Sequence, residues 1–201
     1  MVLSEFDKGW LIGIIEGEGC FSIQQFTQLN KKNTTKIRFT PLFKISLCAN
    51  DKELIYKIQK LIGFGNINFK PKKYWTKLGM PSAQDQYNFK LENVEDCKKF
   101  TNLFDEDLFK SSKKQNFILW KEGLELIYTY KHLEREGMIR LAEIRDLMNK
   151  KIKSKNYKNK EYILNLINQR NDLFTPKEMS RRLIMSKKKR NCEKIAKHIT
   201  I

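Results

Sequence analysis

Twice along this chain the spacing of apolar residues switches from the helical period to strict alternation, and a chain that does this has to pack helices against strands. Phe6, Trp10 and Ile14 recur at helical spacing, and Ser4 with Asp7 resembles a capping pair, which predicts a first helix over Glu5–Gly17. From Phe21 the period is two, with Phe21 and Ile23 on one side and Ser22 and Gln24 on the other. A longer run sets Ile37, Phe39, Pro41, Phe43, Ile45 and Leu47 against Arg38, Thr40, Lys44 and Ser46. Asn50 or Asp51 then caps a second helix, whose stripe of Leu54, Ile55, Ile58, Leu61 and Ile62 stops at Gly63. Alternation resumes over 64–70, with Ile67 and Phe69 inward and Asn66, Asn68 and Lys70 outward. After a loop holding Lys72, Lys73, Trp75, Gly79 and Pro81, a fourth strand sets Tyr87, Phe89 and Leu91 against Gln86, Asn88 and Lys90.

Further helices are expected over Val94–Phe104, Lys113–Tyr130 and Gly137–Lys151. The Lys- and Asn-rich stretch Lys150 to Lys160 reads as a linker, with room for two more helices after it, the second from Thr175-Pro176. The expected class is therefore α+β, with a repeated helix, strand, strand unit in a domain over 1–150 and a basic linker and helical extension over 151–201. All four strands place Arg, Lys, Asn, Gln, Thr and Ser on the face opposite the core, with almost no acid. Asn and Gln pair with adenine edges and Arg or Lys with guanine, so such a face suits groove reading.

Charge points the same way. The chain of 201 residues carries a formal net charge of +17. Residues 151–201 hold 15 basic against 4 acidic side chains, and the final segment from Thr175 holds nine basic residues, which leaves two readings, a solvated basic tail or one lying along flanking phosphates. Interleaved aromatics and this much basic surface fit nucleic acid before membrane. No apolar run reaches the roughly 18 residues of a membrane helix, and Trp10 to Ile15 is too short and too acidic in its flanks for a signal peptide. Cys20, Cys48, Cys97 and Cys192 lie far apart with no CxxC pair, which argues for a reducing compartment and against structural zinc. His132 and His198 have no neighbour at ligand spacing and read as packed or solvated.

The segment Leu11-Ile12-Gly13-Ile14-Ile15-Glu16-Gly17-Glu18-Gly19 ends an apolar helix in two carboxylates. That is unfavourable at a terminus the helix dipole already makes negative, and it calls for a compensating positive partner. Gly13 and Gly17 leave room for a second helix to approach closely. Two copies packed through that face would bring two copies of Glu18 together, and converging carboxylates with water and phosphate oxygens are how Mg²⁺ is usually held.

This nonapeptide and its context resemble the LAGLIDADG homing endonucleases. Also similar are Phe43-Lys44-Ile45-Ser46 before a helix, Ile62-Gly63-Phe64-Gly65, Ser112 to Phe117, His132-Leu133, Glu136-Gly137 and Met148-Asn149, all in family order over about residues 4–150. The resemblance implies an αββαββα core with a curved antiparallel sheet lying in the DNA major groove, and motif helices forming a two-fold contact. It makes Glu18 the metal-binding catalytic acid with the carbonyl of Gly17 beside it, gives Glu16 a more structural role, and puts Lys113 or Lys114 at the border of the pocket as the basic residue. A glutamine common in the family is replaced here, at Leu47 on this alignment.

The resemblance further implies a site-specific double-strand DNA endonuclease of intron-homing type, cutting to staggered ends with Mg²⁺, two or three ions per dimer, for which other divalent ions can substitute. With a single motif, two active sites need two chains, so a homodimer on a long pseudo-palindromic site is expected, with Leu11, Gly13, Ile14, Glu16 and Gly17 at the interface. DNA contacts are expected from Ser22, Gln24, Arg38, Thr40, Lys44, Ser46, Asn66, Asn68, Lys70, Lys72, Lys73, Asn88 and Lys90. The alternative is an intron RNA maturase, with host intron RNA as a partner, or a catalytically inactive DNA-binding protein of the same fold. The abundance of Lys, Asn and Ile fits AT-rich coding, hence an organelle, chloroplast or mitochondrion, and no membrane partner.

Overall fold

A computed structural model of the chain describes residues 3–29, 35–148 and 159–168. In chain order it contains α1 (Glu5–Glu18), β1 (Gly19–Leu29), β2 (Thr35–Cys48), α2 (Lys52–Ile62), β3 (Asn66–Lys70), α3 (Lys72–Lys77), β4 (Gln86–Leu91), α4 (Val94–Thr101), α5 (Lys113–Tyr128), α6 (Arg135–Met148) and α7 (Lys160–Asn168). The expected α+β class and helix, strand, strand repeat are present. The four strands form one sheet in the order β1-β2-β4-β3, with β4 antiparallel to both β2 and β3.

The described residues divide into two compact units, one comprising 3–26 and 38–124, the other 27–29, 35–37, 125–148 and 159–168. In the first, Ser4 starts α1 by accepting the N–H of Asp7 at 3.1 Å. Asp51 stands at the N-cap of α2 without a side-chain bond there, and a 3₁₀ turn over Ala49–Asp51 leads in instead. Gly63 closes α2 at φ +82°, a left-handed conformation that costs glycine nothing. The helix α3 replaces an expected loop. Its first N–H, from Lys72, donates to the carboxylate of Asp85 at 2.5 Å, a partner thirteen residues away that no local pattern reveals.

The core of this unit is aromatic. The ring of Phe21 lies 4.9 Å from Phe43, 5.2 Å from Trp120, 5.3 Å from Phe117 and 6.0 Å from Phe109, all five side chains being buried. Ile45, Phe89 and Leu91 continue it along the sheet. Ile67 and Phe69 share that face in register with Phe89 and Tyr87. Phe69, expected inward, is 49% exposed because the core has run out at this edge strand; its ring meets that of Tyr87 at 5.0 Å.

In the second unit α6 and α7 are pinned together. The Lys160 ammonium reaches Glu143 at 2.8 Å, the Lys160 N–H donates to Asp146 at 2.9 Å, and Arg135 donates to Asn168 at 2.5 Å. Gly137 is obligatory, since a Cβ there would come within 1.9 Å of the Lys131 carbonyl oxygen. His132 packs here as expected, burial pushing its pKa below 6.5. Most of the expected linker and the helix expected from Thr175-Pro176, with the basic tail, lie outside the described residues. Among the described residues no helix is long and apolar enough to cross a membrane.

Candidate active site

The helix α1 presents two different faces. Leu11 and Ile15 point into the core and are 0% exposed, so Leu11, expected at a subunit contact, is unavailable to one. On the other side a Cβ placed at Gly9, Gly13 or Gly17 would meet nothing within 4 Å, which leaves an open track along the helix surface. Ile14 and Glu16 are half-buried.

The two motif carboxylates have separate fates. Glu16 Oε1 accepts the backbone N–H of Lys110 at 2.5 Å and of Ser111 at 3.1 Å, while the Ser111 hydroxyl donates to Oε2. The compensating positive partner that the helix end demands is therefore the run of N–H groups leading into α5, with the Lys113 charge nearby. Burial is the largest single influence on Glu16 and pushes its pKa up. The Ser111 hydroxyl and N–H, the Lys110 N–H and the Lys113 charge together outweigh it and hold the group below 4.5. Ser111 Oγ also accepts the N–H of Lys113 at 3.1 Å, which fixes the start of α5. Glu18 is exposed and has no hydrogen bond or ion pair among the described residues.

The same clamp sorts the two lysines. The Lys113 ammonium donates to the carbonyl of Gly19, the residue next to Glu18. Lys114 pairs with Asp107 at 2.7 Å, an exposed contact that raises the lysine pKa and lowers that of the carboxylate. Lys113 thus lies at the end of the motif and Lys114 is directed to a different acid. Lys110 and Ser111, which hold this arrangement, escaped the sequence reading; the signal was a serine pair just before a helical run.

Across the sheet the register puts the polar residues in rows: Lys44, Lys90 and Asn66; then Ser46, Asn88 and Asn68; then Cys48, Gln86 and Lys70. Arg38, Asn66, Asn68, Lys72 and Lys73 are exposed, and Ser22, Gln24, Thr40, Lys44, Ser46, Lys70 and Lys90 are partly so. Lys70 lies 4.5 Å from the ring of Tyr74 and 5.1 Å from that of Trp75, and Lys90 reaches Glu92 at 3.1 Å. Asn88 departs from the expectation of a DNA contact: it shares the polar face but is 1% exposed, its amide used by its two row neighbours. Leu47 is half-buried on the core face, opposite Tyr87.

A family model described as LAGLIDADG endonuclease matches residues 11–124, more than half of the chain. The chain belongs to the LAGLIDADG endonuclease family. A probable intron-encoded endonuclease of Neurospora crassa is 27% identical over 138 residues, which is 68% of this chain and 24% of that protein. The chain therefore spans about a quarter of that relative's length. Among solved structures, the homing endonuclease I-TnaI is similar at TM-score 0.63 and 23% identity, over 83% of this chain and 99% of that one. An archaeal intron-encoded homing endonuclease complexed with DNA is similar at TM-score 0.66 and 23% identity, over 82% and 96%. These likenesses establish the LAGLIDADG fold for the chain.

The oxygen donors at the end of α1 fit a hard divalent cation. They are the unpaired Glu18 carboxylate and the carbonyl of Gly17, one of the last helical carbonyls that lack an intrahelical partner. Among the described residues no group of three or more His, Cys, Asp or Glu is assembled. One carboxylate per chain suits Mg²⁺, which keeps several waters and takes its other ligands from phosphates or a neighbouring acid.

Proposed function

We propose that this chain is a site-specific, Mg²⁺-dependent double-strand DNA endonuclease of intron-homing type that acts as a homodimer and leaves staggered ends. The observation that carries the proposal is the unequal treatment of the two motif acids: Glu16 is consumed in holding α5, while Glu18, two residues later, stays exposed and unpaired. The matched family, the similar archaeal endonuclease complexed with DNA, and the polar rows of the sheet support DNA as the substrate.

In this reading the polar rows bind the duplex and the open glycine track of α1 packs against its copy, so that each chain contributes one Glu18 to a pair of scissile phosphates. Glu18 and the Gly17 carbonyl would hold Mg²⁺, which supplies charge neutralisation at the phosphate and a lowered pKa for attacking water. Lys113, anchored on Gly19, adds positive charge beside the developing phosphorane, and the Glu16 and Ser111 clamp keeps it there. The intron-encoded relatives support an organellar setting. The test is incubation of the full chain with a supercoiled plasmid library carrying randomised inserts, with and without Mg²⁺. Linear product at a recurrent sequence, with Mg²⁺ only, is expected. Sequence-selective binding without cutting at any divalent ion would refute the nuclease and leave the maturase or inactive DNA-binding alternatives.

A further inference from the structure

At the centre of the polar face, Asn88 is the one side chain of the three rows that is fully covered. Its amide can serve its neighbours in only one sense. The Asn68 main-chain carbonyl, 3.5 Å from Nδ2, has lone pairs only, so the end of the amide turned toward it is the NH₂. The oxygen Oδ1 is thereby turned to Ser46, whose Oγ lies 2.6 Å away, and two acceptors at that distance require that the serine hydroxyl donate. A serine hydroxyl has one hydrogen and two lone pairs. With its hydrogen held inward by a buried partner, Ser46 offers only lone pairs outward.

We propose that Asn88 makes Ser46 a fixed acceptor, so that Ser46 selects a base with an exocyclic amine, adenine or cytosine, at one position in each half-site of the bound duplex. The inference rests on the reading of the sheet face as the DNA-binding surface. In the major groove adenine N6 and cytosine N4 are donors, whereas thymine O4 and guanine O6 and N7 are acceptors. A serine free to rotate pairs with either kind and discriminates little. One whose hydrogen is committed meets thymine or guanine with lone pairs against lone pairs, so the buried asparagine confers selectivity on a residue that otherwise has little. Asn88 is a positioning residue here, and touches no base.

The experiment is selection from a duplex DNA library randomised across the site, bound without divalent cation by the full-length wild type, Ser46→Ala and Asn88→Ala. The wild type should favour adenine or cytosine at one position in each half-site by about fivefold or more, within the range of a single good base contact. Ser46→Ala should flatten that position. Asn88→Ala should reduce its preference below about twofold while the other positions keep theirs, because it frees the Ser46 hydrogen without removing the oxygen. A second measurement needs no variant: replacing the selected base by its analogue lacking the exocyclic amine should weaken wild-type binding by a similar factor. Preference unchanged in Asn88→Ala, a Ser46-dependent position that accepts a base pair and its inverse alike, or indifference of the wild type to the missing amine would each overturn the inference while leaving the DNA reading intact. Enrichment of no sequence at all would overturn both.

Discussion

Replacing Glu16 by Gln removes a charge and leaves the shape, which makes it the cleanest probe of the clamp between α1 and α5. Three donors meet this carboxylate, two of them backbone N–H groups and one the Ser111 hydroxyl. Gln keeps one oxygen for the two N–H groups, so the loss is the charge-assisted part of the bonds plus the exchange of an acceptor for an NH₂ opposite Ser111. Hydrogen bonds to ionised groups are worth roughly twice neutral ones, and the half-exposed setting places the cost low, at about 1 kcal/mol for Glu16→Gln and about 2 kcal/mol for Glu16→Ala. With a urea slope of about 2 kcal/mol per molar, Glu16→Gln should shift the midpoint down by about 0.5 M at pH 7.

The pH dependence supplies the control. Glu16 is held below its ordinary value of 4.5 in the folded chain, so its contribution to stability is complete above 4.5 and is lost as the pH falls through the lower folded value. The gap between wild type and Glu16→Gln should therefore be constant from neutral pH down to about 4.5, the unfolded-state value, and close below it. Equal midpoints at pH 7, or a gap that persists unchanged at pH 3, would refute the assignment of Glu16 as an ionised anchor.

Gly13→Leu should leave the single chain folded, since the site of its Cβ is open, yet halve the sedimenting mass by blocking close helix approach; an unchanged mass would place the dimer contact elsewhere. Phe21→Ala, which empties the middle of the aromatic core, should cost about 3–5 kcal/mol, read as a fall in the urea midpoint with circular dichroism. Lys113→Ala should slow cleavage about 100-fold with DNA affinity little changed, whereas Lys114→Ala should cleave like the wild type, because only the first is anchored beside Glu18. Single-turnover rates distinguish the two.

The elements legible in the sequence are those whose neighbours are local. The stripe of α2, the alternation of β2 and the cap of α1 at Ser4 each follow from residues within a few positions of one another. What escaped depends on partners far along the chain. The start of α3 needs Asp85, the role of Glu16 needs Lys110 and Ser111, and the burial of Asn88 needs strands β2 and β3 on either side of it. Phe69 fits the inward pattern of a strand, and period two cannot tell that its strand is the edge of the sheet. Of the proposed site residues, Glu18 is legible as what the motif implies and Lys113 or Lys114 as what the order of landmarks implies, while the proposed choice of Lys113 over Lys114 needs the Gly19 carbonyl.

In the proposed function Glu18 is the acid that does the chemistry and Glu16 the acid that holds the fold. The measurement that tests it most directly is duplex cleavage and duplex binding by Glu18→Gln in the same titration, with Mg²⁺ present and with the folded state checked by its urea midpoint. Glu18→Gln should keep wild-type stability and binding and lose cleavage, since among the described residues Glu18 has no side-chain partner to lose and the variant removes only the proposed metal-ligating charge. Mg²⁺-dependent cutting at the wild-type rate by Glu18→Gln would contradict it.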